Sequence, residues 1–208
     1  CERFAGNDSY DLHVISVLDM LGQPFTGAGP IGAALRQDKA VTKKLLQFHH
    51  VPYPDFITFD KHDIEFAGRM RFPLFVKPYS EGTSKGVTAQ SVIRSQDELE
   101  HMCAELLVQY RQPVLVERFL PGREFTVGIV GTGAQAEAVG IAEVVLHAQA
   151  EQGVYSYLNK DRCEELVSYE RPDDAEAALA IATALRAWQG LGCFDAGRVD
   201  LRSNAHNI

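Results

Sequence analysis

Apolar positions recur at helical spacing over residues 11–21 (DLHVISVLDML), and the pattern stops at Gly22, which predicts a first helix. Asp38 is placed to cap a further helix running to about Phe48, which Val51-Pro52 and Tyr53-Pro54 then break. From Phe72 the period changes. LFVK (74–77) and GVTAQSVI (86–93) read as strands, with the polar stretch Ser80–Gly86 as a loop between them. Ser95-Gln96-Asp97-Glu98 forms a capping-box sequence that opens a helix to about Tyr110. VLVER (114–118) is the next strand, followed by a turn at Pro121-Gly122. REFTVGIVG and AVGIAEVVLH then alternate as long strands around the Gly131–Gly133 turn. Residues 149–163 are polar and aromatic with little periodicity, and are expected as a mobile loop. An alanine-rich helix from Asp173 to Leu191 and a strand GRVDLRS end the pattern. The order predicts an α+β fold with antiparallel hairpins, not a repeating βαβ series.

Composition narrows the function classes. The 208 residues are 46% hydrophobic and 23% charged, enough apolar content for a sizeable core. A formal net charge of −8 argues against a nucleic-acid partner, which needs a basic surface, but leaves room for a nucleotide held by a few local cations. Cys1, Cys103, Cys163 and Cys193 have no CxxC spacing, so free thiols in a reducing cytoplasm are expected rather than zinc. No stretch approaches the run of about 18 apolar residues that spans a membrane.

Two patterns bear on chemistry. Gly27, Gly29 and Gly32 formally match GxGxxG, but little strand precedes them, Pro30 sits inside the turn, and no second strand supplies the acid. A turn leading into a helix explains them. The second pattern is FPLFVKPYSEGTSKGV (72–87), where Lys77 ends an apolar strand just before a loop of small and hydroxyl residues. A cation held rigidly beside a flexible loop rich in open N–H groups suits phosphate. Lys39 stands at a helix start, where the macrodipole disfavours a cation, so it is either solvated or offset by a bound anion.

Taken with VLVERFLPGREFTVGI (114–129) and GCFDAGRVDLR (192–202), these segments resemble the ATP-grasp superfamily, and within it the D-alanine–D-alanine ligase group. The resemblance covers nearly the whole chain. It implies an ATP-grasp fold of two α+β subdomains gripping ATP, at residues 28–119 and 120–208, with residues 1–27 a remnant of an amino-terminal α/β domain. It implies an ATP-dependent ligase that forms a peptide bond through an acylphosphate, making a peptidoglycan precursor dipeptide. Lys39 and Lys77 would contact the phosphates, under a loop including Glu81, Gly82, Thr83 and Ser84, with Ser84 placed among the catalytic residues. Glu117, Arg118, Phe119 and Leu120 would be the hinge segment that reads adenine, and Glu124 would accept from the ribose. Lys160 would reach the terminal phosphates from a lid, Arg198 would stabilise an oxyanion, and Asp200 would bind Mg2+ or Mn2+. Amino-acid substrates are the partners implied, and a homodimer is allowed.

Three departures from the family pattern stand out. Thr83-Ser84 replaces two adjacent serines, Asp161 follows the lid lysine in place of tyrosine, and CERFAGNDSYDLHV replaces a His-Gly-containing segment. The Glu-x-Asn segment expected after the last strand is also missing, so the natural protein is expected to extend at both ends. The alternatives are an ATP-grasp ligase for another amino acid or peptide, and a non-catalytic nucleotide-binding regulatory module.

Overall fold

The computed structural model describes residues 10–60 and 70–204. The readings of Cys1, of the first nine residues and of Asn207-Ile208 lie outside the described residues. Helix α1 (Tyr10–Met20) packs on α2 (Pro30–Gln37), and Arg36 pairs with the buried Asp11 at 3.2 Å. Gly29 precedes Pro30 at the first turn of α2, so the glycine-rich stretch is the expected turn into a helix. Asp38 caps α3 (Lys39–Phe48) by accepting from the Val41 amide at 2.8 Å.

Two four-stranded antiparallel sheets follow. The first has the order β1–β4–β2–β3, from β1 (Phe56–Phe59), β2 (Leu74–Pro78), β3 (Val92–Ile93) and β4 (Val114–Arg118). Helix α4 (Gln96–Tyr110) covers one face, where Leu99, Cys103 and Leu106 meet Phe59, Leu74, Val76, Val114 and Val116. Ser95 caps α4 through the Glu98 amide, and Glu98 reaches back to the Arg94 amide at 2.7 Å. The second sheet has the order β7–β6–β5–β8, from β5 (Glu124–Val130), β6 (Glu137–Leu146), β7 (Val167–Glu170) and β8 (Ala196–Arg202). Helix α7 (Ala175–Gly190) packs Ala184 and Trp188 against Val127 and Ile129. Every pairing is antiparallel, as the hairpin pattern predicts.

Two expectations need correction. Of GVTAQSVI only Val92 and Ile93 are strand, because Thr88 and Ser91 exchange side-chain and backbone bonds around a tight turn at Ala89–Ser91. Such local bonds offer the backbone a partner other than the ladder. Residues 149–163 are irregular only as far as Ser156. They carry the short helix α5 (Tyr157–Asp161) and the start of α6 (Cys163–Leu166). The buried Asn159 amide ties this segment together, donating to the Glu151 and Val154 carbonyls at 2.8 and 2.9 Å and accepting from the Glu151 amide at 3.0 Å. A polar keystone leaves no apolar stripe, so the helix carried no periodic signal. Strands β1 and β7, four residues each, were also too short to register.

Candidate nucleotide site

Strand alternation builds the site. In β2 and β4, Val76, Val114 and Val116 face α4, which turns Phe75, Lys77, Leu115 and Glu117 to the opposite face. In the second sheet Val127 and Ile129 face α7, and the other face carries Glu124 and Thr126 opposite Arg202 and Asp200. Between these faces lies a cleft of about 690 Å³, within the range of small-molecule sites. Its lining includes Lys39, Lys77, Glu81, Gly82, Thr83, Ser84, Glu117, Arg118, Phe119, Leu120, Glu124, Lys160 and Asp200. Arg198 is not among the lining residues; it holds Asp200, which is, at 2.9 Å.

At the centre is a carboxylate between two ammoniums. The register sets Phe75 opposite Glu117, so Lys77 is the diagonal neighbour of Glu117 across the strand pair. Lys77 Nζ lies 2.7 Å from Glu117 Oε2, and Lys43 Nζ lies 2.7 Å from Oε1. Burial pushes the Glu117 carboxyl up, but Lys77 and Lys43 outweigh it and hold the group at about 2. Burial pulls Lys43 below its ordinary value despite Glu117. Lys43 escaped the sequence reading, although it lies one helical turn from Lys39 on the same face. Glu117 was expected only as hinge backbone; its side chain organises the two lysines.

Lys39 is neither solvated nor dependent on an anion. Its ammonium donates to the carbonyls of Tyr79 and Glu81 at 2.8 and 2.7 Å, so it ties α3 to the start of the Ser80–Gly86 loop. Burial and the nearby Lys77 pull it down to about 8. The Glu81 carboxylate is taken by Lys85 at 2.9 Å and Gln112 at 3.0 Å. The amides of Glu81, Gly82, Thr83 and Ser84 have no hydrogen-bond partner among the described residues. Thr83 and Ser84 are consecutive left-handed residues (φ 52° and 58°), the kind of backbone that turns successive N–H groups toward one anion. Gly86 closes the loop, where a Cβ would come within 2.5 Å of the Pro78 ring.

The loop is clasped from residues 155–157. Ser84 Oγ donates to the Tyr155 carbonyl at 2.9 Å, and the Tyr157 amide donates to the Val87 carbonyl at 3.1 Å. Lys160 lies over the Tyr155 ring, 4.7 Å from its centroid. Asp200 accepts from Thr126 at 2.7 Å. No group of three His, Cys, Asp or Glu side chains is arranged to hold a metal among the described residues.

A family model for the carboxy-terminal domain of D-alanine–D-alanine ligases matches residues 45–208. The D-alanine–D-alanine ligase of Bordetella petrii is 34% identical over 194 residues, covering 91% of this chain and 57% of that protein. The Ralstonia nicotianae enzyme of the same name is 32% identical, covering 97% of this chain and 60% of that protein. Among solved structures, a Bacillus anthracis D-alanine–D-alanine ligase complexed with ATP aligns at 25% identity with a TM-score of 0.72, covering 95% of this chain and 60% of that one. The chain thus spans about three-fifths of the length of these relatives. Its two gripping sheets have the ATP-grasp fold. The chain belongs to the D-alanine–D-alanine ligase family, matched over residues 45–208, which carry all of this cleft's lining but Lys39 and Lys43.

Proposed function

We propose that the cleft binds ATP and serves a ligase that joins two D-alanine molecules, the dipeptide going to peptidoglycan precursors. The observation that carries this reading is the convergence of Lys39, Lys77 and Lys160 with four open loop amides in one cleft. The relatives' names, and the ATP in the Bacillus anthracis complex, supply the substrates. Residues 28–119 and 120–208 would be the gripping halves, with residues 1–27 belonging to a preceding substrate-side domain, working in the cytoplasm.

A carboxylate and an amine do not condense at neutral pH. Phosphoryl transfer to the first carboxylate makes an acylphosphate, the second amine attacks its carbonyl, and phosphate leaves the tetrahedral intermediate. Negative charge gathers first on phosphoryl oxygens and then on an oxyanion, so positioned cations do the catalysis. Lys77 keeps N–H donors beyond the one given to Glu117, and these meet the phosphates together with the loop amides. Lys160 approaches from the clasped segment. Arg198, paired with Asp200 on β8, would stabilise the developing oxyanion. Asp200 is an accessible carboxylate, and magnesium commonly needs only one or two of these beside phosphate oxygens and water. When bound, the metal would neutralise phosphoryl charge. Glu117, Arg118, Phe119 and Leu120 would form the adenine wall, and Glu124 would take the ribose hydroxyls.

Phosphate release by the full-length protein, measured over a panel of amino acids with ATP and magnesium, tests the proposal. D-alanine should stimulate release strongly and L-alanine should not. Stimulation by a different amino acid would reassign the substrate, and ATP binding without any release would leave a nucleotide-binding module.

The value of about 8 for Lys39 gives a pH signature. A phosphate beside this ammonium raises its pKa, so above pH 8 binding must take up a proton. ATP affinity should therefore fall as pH rises through 8, by up to about tenfold per unit. Lys39→Met should flatten that slope, and calorimetric titration from pH 7 to 9.5 would read it. An unchanged slope would leave Lys39 a fold residue only.

A further inference from the structure

Arg202 ends β8 directly opposite Glu124, and its guanidinium fastens two segments distant from it in sequence, residues 120–124 and Gly153. Nε donates to the Leu120 carbonyl at 2.6 Å, one terminal nitrogen pairs with Glu124 Oε2 at 3.1 Å, and the other donates to the Gly153 carbonyl at 2.7 Å. The same group lies over the Phe119 ring, 5.3 Å from its centroid. The side chain is only 25% exposed, and it lines the cleft. Leu120 has its carbonyl fixed by this bond, while its N–H has no partner among the described residues. That carbonyl belongs to the Leu120–Pro121 peptide, so the fork fixes the exit of the hinge segment next to the open donor.

We infer that Arg202 is a positioning residue for the base end of the nucleotide, holding the Leu120 peptide, the Glu124 carboxylate and the root of the α5 segment on one rigid fork. The inference rests on the nucleotide reading of the cleft. A planar fork is required, because three acceptors in different directions exceed what a single ammonium can hold in fixed geometry. At the phosphate end Lys39, Lys77 and the loop amides are held without the fork, which reaches that end only through Gly153, so the two ends separate by the size of the effect.

Calorimetric titration with ATP and with inorganic tripolyphosphate makes that separation. Arg202→Met should weaken ATP binding by about tenfold or more, the scale of one lost charge-assisted hydrogen bond. Tripolyphosphate affinity should fall clearly less than ATP affinity, since Lys39, Lys77 and the loop amides do not pass through the fork and only its Gly153 bond leads to the Lys160 segment. Arg202→Lys, which keeps the charge, should behave like Arg202→Met; it also serves if the methionine variant does not fold. Equal losses for both ligands would mark Arg202 as a general structural residue, and an unchanged ATP affinity would remove its role outright. A wild-type protein that binds neither ligand would overturn the nucleotide reading, and the positioning role with it.

Discussion

Replacing Glu117 by glutamine should destabilise the protein by about 3–5 kcal/mol, the scale for removing one partner from a buried ion pair. The substitution keeps shape and removes charge, leaving the Lys43 and Lys77 ammoniums facing each other across a neutral amide. Lys43 is the more deeply enclosed, at 11% side-chain exposure against 24% for Lys77. It should relieve part of the cost by releasing its proton, so the loss should be larger at pH 6 than at pH 9. In the parent protein the linkage runs the other way. The folded carboxyl sits at about 2, below its ordinary value, so its contribution is complete above pH 5 and lost as pH falls toward 2. Lys43→Met added to Glu117→Gln should recover part of the stability, because one stranded charge is then gone. Urea unfolding of the variants at pH 6 and 9, and of the parent from pH 6 down to 2, measures all of this. A Glu117→Gln protein as stable as the parent would mean that the cluster contributes nothing to folding.

The central cluster also shows what the sequence could and could not disclose. Lys77 was legible because an apolar strand presented it just before an unusual loop, two signals within a few residues. Lys43 and Arg202 carried no such flag. Each lies on an element whose face is known only once its packing partner is known. α3 could be phased from Lys39, and β8 from the pairing of Arg198 with Asp200, yet neither phase says that the far side meets Glu117 or Leu120. The partners are 74 and 82 residues away, and only the sheet register brings them in. The Asn159 keystone was illegible for the opposite reason. One amide satisfying three backbone groups replaces the apolar periodicity on which a helix assignment depends. The long strands, α4 and α7 were readable because each buries one face against a single layer.

Lys77→Met should weaken ATP binding by about 2–4 kcal/mol, the range for losing one partner of a desolvated charge pair. Methionine keeps the apolar stem against Phe75, whose ring lies 5.6 Å from the ammonium, so packing changes little. Electrostatics change twice. The phosphates lose a cation, and Glu117 keeps only Lys43 against its charge, so its negative field reaches further into the cleft. Both effects oppose a polyanion, and the second distinguishes Lys77 from a surface lysine, whose removal would cost about 1 kcal/mol or less. Lys77→Met combined with Glu117→Gln should therefore bind ATP better than Lys77→Met alone, although it lacks the same cation. Calorimetry on the folded single and double variants reads the difference. Equal affinities would show that Glu117 is screened from the phosphates, and a Lys77→Met protein with unchanged affinity would confine Lys77 to holding β2 against β4.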